Sequence, residues 1–454
     1  MRERLRADKS FDIIERRIES GADEMTLFYI DGFVKDAELL KILQVLIGEK
    51  ESLSAEALMR KIPSAEIAMV SDPDKIIRSV LSGETALFSE GFGGEALILD
   101  LRTYPARPTS EPESDRVMQG ARDGFVETLV VNTALIRRRI RDRRLTMEHF
   151  NMGGSSETDV VVCYMEGIAD EGVVKDIREK LNKIKPRSLT LGFQSLAESL
   201  IRSGWFNPFP KIRTTERPDA AAAQLLEGSV VVLCDTSPQA MLLPTSIFDY
   251  LEETDDFYFP PLTGTYLRLV RTFILLLSVV ITPLWYLSLE YSEILPPALS
   301  FLVPREPGAL PIILQLFLVE IAIDGLKIAS MNTPDILSNS LSVVGALILG
   351  DFAVGVGWLS GDVILYMAFV AIATFAQQNH ELGYAFKFMR MLILFLTWLF
   401  GIWGFGAGIV IFCLAVATNK TLSGKRRYLY PLIPFNKKAF ARLIIRQRKQ
   451  DFEK

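Results

Sequence analysis

The sequence predicts an α/β soluble region, built as two small similar α/β domains, followed by an α-helical polytopic membrane domain. Three observations predict it. Charges are dense up to about Arg271, sparse from there to about Ala417, and dense again in the tail. A unit of strand, acidic-Gly turn and amphipathic helix occurs twice in the charged part. Long apolar runs fill the uncharged part. The averages over all 454 residues, 23% charged and 49% hydrophobic, conceal this division.

The chain starts with MRERLRADKS, basic but without an apolar run behind it, so no cleavable signal peptide is expected and the soluble part is expected on the cytoplasmic side. The net charge of -5 gives no electrostatic footprint for nucleic acid. Cys163, Cys234 and Cys413 make no disulfide framework. The first two lie in strand-like apolar runs and read as small buried residues in a reducing compartment.

The duplication is visible in two pairs of segments. LFYIDGFVKDAELLKIL from Leu27 matches VCYMEGIADEGVVKDI from Val162, aligning Tyr29 with Tyr164, Asp31 with Glu166 and Gly32 with Gly167. LSGETALFSE from Leu81 matches LEGSVVVLCD from Leu226, where a helix stops at Gly83 or Gly228 and a strand follows. EALILDL and QAMLLPT supply one further strand each. The expected order in each copy is strand–helix–helix–strand–strand, over roughly 10–106 and 156–255. The expected divisions are 1–106 and 156–262 for the two α/β domains, 107–155 for a linker and helix, 263–420 for the membrane domain and 421–454 for a basic cytoplasmic tail.

Between the copies lies a polar linker, TSEPESDRV, and then RDGFVETLVVNTALIRRRIRDRR. Phe125, Leu129, Val130, Ala134 and Ile140 recur at helical spacing. Asp123 near the start and Arg137, Arg138 and Arg139 near the end suit the helix dipole. A basic run of this kind serves nucleic acid, lipid headgroups, a solvated helix end or a neighbouring subunit. Arg122, Asp123, Arg137, Arg138 and Arg139 are the candidate subunit-contact residues.

Apolar runs follow at about 267–289, 310–330, 341–359, 362–378 and 391–417. A span needs roughly 20 residues to cross a hydrocarbon core of about 30 Å. The first two runs fit simple spans. The last would be about 40 Å long as one helix, and its middle reads GIWGFGAG. Gly401, Gly404, Gly406 and Gly408 are therefore candidate gate or membrane-break glycines. Basic residues flank these runs: Arg268 and Arg271 before the first, Lys387 and Arg390 before the last, and Lys425 to Lys449 after it. The positive-inside rule puts all three clusters in the cytoplasm. Two arrangements satisfy it: a re-entrant or hairpin last segment broken at the glycines, or a re-entrant pair formed by the third and fourth runs before a full last span.

Glu320, Asp324 and Lys327 fall at i, i+4 and i+7 in the second run, on one helix face. Ionisable groups at membrane depth are costly, so this face should meet protein or water. It reads as a polar pore lining or gate, or as an intramembrane ion pair serving assembly. Gln377–Arg390, QQNHELGYAFKFMR, is a second polar patch, read as a cytoplasmic loop or helix start. With two histidines in the chain and no second His four residues after His380, a histidine metal site is not expected. Phosphate-loop, nucleophile-elbow and CxxC patterns are absent, and GFGG at Gly91–Gly94 reads as a hairpin turn. No enzyme activity, cofactor or metal is expected.

Several of these stretches carry a family resemblance. GARDGFVETLVVNTALIRRRIRD (Gly120–Asp142) resembles the signature of the GerA-type spore germination A subunits. The match continues through DVVVCYMEGIAD (Asp159–Asp170), NPFP (Asn207–Pro210), TERPD (Thr215–Asp219) and LEGSVVVLCDTSP (Leu226–Pro238). In the membrane part, Glu320, Asp324 and Lys327 are similar to the family's E-x3-E-x2-R pattern, and NHELGYAFKFMR to its NYELSLALRLLR. FDIIERRIE (Phe11–Glu19), the D.R.YP.R element at Asp100–Arg107, and DTSP instead of DGTP resemble a sporulation branch more than the receptor subunits. The resemblance implies a multi-pass protein of the spore inner membrane, with its soluble region and tail on the core side. It implies a ring-like homo-oligomeric channel that releases monovalent cations as dormancy ends, alongside other polytopic germination membrane proteins and in contact with membrane lipid. Asp324 and Lys327 depart from the longer Glu and Arg of the family pattern. A sensory or scaffolding subunit is the competing expectation. A secondary transporter has less support, since no inverted repeat relates the apolar runs.

Overall fold

The computed structural model describes all residues except 21–22, 49–53, 65, 105–119, 185, 202–205, 305, 307, 333–344, 346–352, 378, 420–421, 423–427 and 446–454. The TSEPESDRV linker and most of the third apolar run lie outside the described residues. The chain forms two compact units. One holds Met1–Ser203, Lys211–Thr245 and Thr421–Arg426; the other holds Gly204–Pro210, Ser246–Lys420 and Arg427–Lys454.

The first unit contains two five-stranded antiparallel sheets with the same wiring. A short α1 (Arg2–Leu5) precedes β1 (Ile13–Ser20), β2 (Asp23–Ile30), α2 (Asp36–Gly48), α3 (Ala55–Lys61), β3 (Ile67–Val70), α4 (Pro73–Leu81), β4 (Thr85–Ser89) and β5 (Ala96–Leu99). After α5 (Leu129–Arg139) the sequence of elements repeats as β6 (Leu145–Met152), β7 (Thr158–Met165), α6 (Glu171–Lys183), α7 (Phe193–Leu200), β8 (Arg213–Thr215), α8 (Pro218–Leu226), β9 (Val230–Cys234) and β10 (Ala240–Leu243). The spatial orders are β1-β2-β4-β5-β3 and β6-β7-β9-β10-β8. The aligned glycines share backbone geometry: φ is +78° at both Gly32 and Gly167, +98° at Gly83 and +95° at Gly228. Only a residue without Cβ adopts such angles at little cost, which is why the repeat is legible at these points.

The expected order omitted strands β1, β3, β6 and β8, and the helices α3 and α7. The four strands are the four sheet edges. Charge along an edge strand discourages pairing with other chains and breaks up the apolar signal. IIERRIES and LTMEHFNM show the effect, whereas β3, IAMV, is apolar but only four residues long. The inner strands are covered on both faces and read as apolar runs, VVVLC in β9 being buried throughout. In the first sheet, α2 and α3 cover one face and α4 the other. In the second, α6 and α7 cover one face while α5 and α8 cover the other. Cys163 and Cys234 are buried in β7 and β9, as expected, and burial pushes the Cys234 thiol up to about 12.

The helix expected across 122–144 is shorter than its apolar pattern. Phe125 and Val126 lie outside it: the Phe125 N–H donates to the Glu216 carbonyl, and Asn132 exchanges side-chain hydrogen bonds with the Val126 backbone at 2.8 and 2.6 Å. Ile140 is the residue that ends α5.

The second unit is helical. After a short α9 (Thr254–Tyr258) come α10 (Pro261–Glu290), α11 (Ile312–Met331), α12 (Gly361–Phe375), α13 (His380–Thr418) and α14 (Lys437–Ile444). By length and composition α10 and α13 could each cross a membrane, and α12 is a shorter apolar helix. One cluster packs α10, through Leu275 and Val279, against Phe386, Met389, Ile393 and Val416 of α13. Another joins Trp285, Leu316 and Val319 to Val363, Met367 and Val370 of α12.

The assigned α13 is two helical arms. Gly401 has φ +55° and ψ −133°, outside the helical region. The rings of Phe386 and Phe412 are 5.6 Å apart. Twenty-six residues of straight helix would separate them by about 39 Å, so the arms 380–400 and 402–418 fold back on each other. A Cβ at Gly404 would stand 1.9 Å from the Leu396 carbonyl oxygen, and one at Gly408 3.0 Å from Ile393 Cα. Gly401 makes the turn, and Gly404 and Gly408 let the arms approach at small-xxx-small spacing. Gly406 has nothing within 4 Å of its would-be Cβ.

Candidate functional site

The charged face of α11 lies against the first arm of α13 as an antiparallel ladder. One turn up α11 corresponds to one turn down α13. Arg390 Nη2 donates to Glu320 Oε1 at 2.7 Å, Lys387 Nζ pairs with both Glu320 (3.1 Å) and Asp324, and Lys327 Nζ lies 4.7 Å from the Tyr384 ring centroid. Arg390 also reaches the Ser278 carbonyl of α10 at 3.5 Å. Glu320, Lys387 and Arg390 are almost fully buried, whereas the Asp324 side chain is 34% exposed. Two carboxylates thus face two cations inside an apolar helical unit. Each charge is compensated by an opposite one, the condition for keeping ions out of water.

The residues predicted for this face are therefore together, and α13 supplies partners that sequence reasoning missed. Lys387 and Arg390 are buried and paired with the carboxylates of α11. Their i, i+3 spacing, continuing from Tyr384, was the available clue. The polar patch 377–390 is a helix start, with Asn379 Oδ1 accepting from the Leu382 N–H. Arg268 and Arg271 are likewise enclosed: both pair with the fully buried Asp256, and with Glu252 and Glu253 respectively.

The basic end of α5 is divided in use. Arg137 and Asp12 are both 0% exposed and pair at 2.5 and 3.0 Å; Arg137 also donates to Ser10 Oγ and to the carbonyls of Asp142 and Leu145. Arg137 joins the start of β1 to the second repeat and is not presented to a neighbour. Arg139 grips Asp123 through both carboxylate oxygens, at 2.6 and 2.7 Å. Arg138 lies over the Tyr104 ring, and Arg122 and Arg138 keep exposed side chains.

A second polar cluster lines an open cavity of about 550 Å³ in the first unit. Glu148 accepts from Tyr164 Oη at 2.6 Å and from Arg178 at 2.9 and 2.5 Å. Burial pushes the Glu148 carboxyl up, but the hydrogen bonds from Arg178 and Tyr164 outweigh it and leave it below its usual range. Burial, with the Glu148 hydrogen bond, lifts Tyr164 to about 12. Among the described residues no cluster of three His, Cys, Asp or Glu could hold a metal.

Comparison with known proteins places the chain. The family model "Bacillus/Clostridium GerA spore germination protein" matches residues 1–454. Stage V sporulation protein AF of Bacillus subtilis (strain 168) is 36% identical, the match covering 97% of this chain and 90% of that one. Spore germination protein KA of the same organism is 27% identical over 94% and 80%. Among solved structures, the N-terminal domain of the A subunit of the Bacillus megaterium spore germinant receptor GerK3 matches at 25% identity and a TM-score of 0.40, covering 54% of this chain and 91% of that one. The chain belongs to the GerA family of Bacillus and Clostridium spore germination proteins.

Proposed function

We propose that this spore germination membrane protein is one subunit of a ring-like homo-oligomeric channel for monovalent cations, held closed in the conformation described. The observation that carries the reading is the neutral ladder of Glu320 and Asp324 with Lys387 and Arg390. Sliding or turning α11 against α13 would free two carboxylates, and acidic residues repeated around a ring axis favour cations. Lys387, shared between both carboxylates, is the latch.

The membrane part is multi-pass in the spore inner membrane, with the soluble region and tail on the core side. The folded-back α13 and the packing of Leu422 in the first unit support this. Leu422 packs with the α6 and α7 side of the second sheet and its carbonyl accepts from Lys180 Nζ at 2.7 Å, so the chain returns to the soluble unit after α13. Partners are further copies of the chain and other polytopic germination membrane proteins.

Reconstituted full-length protein tests the reading. Glu320→Gln with Asp324→Asn is expected to change cation conductance and to delay ion release from spores; unchanged conductance and release would sink it. The competing reading, a non-conducting sensory or scaffolding subunit, is favoured by the pairing of both carboxylates with Lys387 and Arg390. It predicts no conductance from the membrane part and no defined oligomer in mild detergent.

A further inference from the structure

The end of the second unit carries a surface that conduction does not require. Residues 431–436 form an ordered turn ahead of α14. The Leu432 and Ile433 N–H groups donate to the Leu429 carbonyl at 2.7 and 3.1 Å, and the Asn436 N–H to the Pro431 carbonyl at 3.0 Å. Asn436 also caps α14, accepting from the Ala439 N–H at 3.2 Å. With these groups satisfied inside the turn, its apolar side chains face outward: Leu432 and Ile433 are exposed, and Phe435 is 65% exposed. Lys437 and Lys438 follow at once, both exposed, with no carboxylate partner among the described residues.

The position of this surface is set by α10. Arg268 Nη1 donates to the Leu443 carbonyl of α14 at 3.0 Å, which ties α14 to the opening turns of one of the two long apolar helices. There Leu262 and Tyr266 are themselves exposed. The start of a spanning helix is the level at which headgroups meet hydrocarbon, and apolar side chains beside lysines suit that boundary. The charge is local. The chain as a whole has a net charge of -5, yet Arg446, Arg448 and Lys449 follow α14 in sequence.

We infer that the turn 431–435 and α14 dock on an anionic phospholipid surface, with Leu432, Ile433 and Phe435 entering the acyl boundary and Lys437 and Lys438 holding lipid phosphates. The docking rests on the membrane placement of α10 but not on conduction. It gives the segment after α13 an attachment of its own, on the lipid that surrounds α10.

The test uses the full chain in a Cys413→Ser background, since Cys163 and Cys234 are buried. A bimane label at Phe435→Cys reports on the turn, and one at Tyr266→Cys, exposed near the start of α10, reports on the membrane. Nanodiscs of phosphatidylcholine with and without phosphatidylglycerol are compared, using a headgroup-level nitroxide lipid and aqueous iodide as quenchers. In phosphatidylglycerol discs the Phe435 label is expected to be quenched by the lipid and protected from iodide. Lys437→Gln with Lys438→Gln should lower the docked-to-undocked ratio roughly thirtyfold, the equivalent of about 1 kcal/mol per lysine at an anionic surface. A Phe435 label that iodide quenches equally in both lipids overturns the inference. So does a label shielded from both quenchers, which would mean a protein surface such as a second copy covers the turn. If the Tyr266 label also escapes the nitroxide lipid, the membrane placement of α10 falls and the docking with it. If only the Phe435 label escapes, the docking alone falls.

Discussion

Two buried arginines, one in each unit, are held in different ways. Arg137 has one carboxylate, that of Asp12, and three further acceptors that belong to the nearby chain: Ser10 Oγ and the carbonyls of Asp142 and Leu145. Arg390 relies on Glu320, which it shares with Lys387, and on a long contact to one carbonyl. Backbone acceptors cannot change partner without unfolding local structure. Side chains on two facing helices can, by a shift of one turn. The first arrangement fixes a junction between repeats, and the second is suited to a movable one.

The largest expected effect is at the fixed junction. Asp12→Ala leaves a fully buried guanidinium without its carboxylate and should cost about 3–5 kcal/mol, read as a lowered unfolding transition by near-UV circular dichroism. A loss below about 1 kcal/mol, the scale of exposed ion pairs, would break the comparison. Glu320→Ala should cost about 3 kcal/mol, the low end of that range, because Lys387 keeps Asp324. Adding Arg390→Met should recover more than half of it, since two partners removed together leave no stranded charge; Asp12→Ala with Arg137→Met should recover less, because several backbone acceptors are then orphaned. If the two double variants behave alike, the distinction between fixed and movable pairs is lost.

Gly401→Ala comes next, at about 2 kcal/mol for a backbone region open essentially to Gly alone, with crowding from Tyr291 Oη at 3.1 Å. Gly406→Ala, four ångströms clear of any neighbour, should be near neutral in the same thermal-shift assay. The smallest effect is the pH response of the soluble unit. Glu148 has its folded pKa below its usual 4.5, so its contribution to stability is complete above that value and is lost as pH falls through the lower folded one. Glu148→Gln should flatten the acid limb of stability against pH by less than about 1 kcal/mol, given partial exposure of the pair.

Much of this was legible in the chain because it is local. The charge division between about Arg271 and Ala417 follows from composition along the sequence. The duplication showed at Gly32 and Gly167 and at Gly83 and Gly228, where a positive φ admits little else. The shared face of Glu320, Asp324 and Lys327 follows from 3.6 residues per turn, and the break in the last apolar run from glycine density. What the tertiary structure decided is long-range. Edge strands β1, β6 and β8 carry polar and charged residues because only the inner strands are covered on both faces, while β3 is apolar but only four residues long. The partners of Glu320 are some 70 residues away on α13, and the i, i+3 spacing of Lys387 and Arg390 shows that they share a face but not which helix that face meets. Asp12 and Arg137 meet across 125 residues. Periodicity can say which way a side chain points along its own element; which element it meets is set by packing.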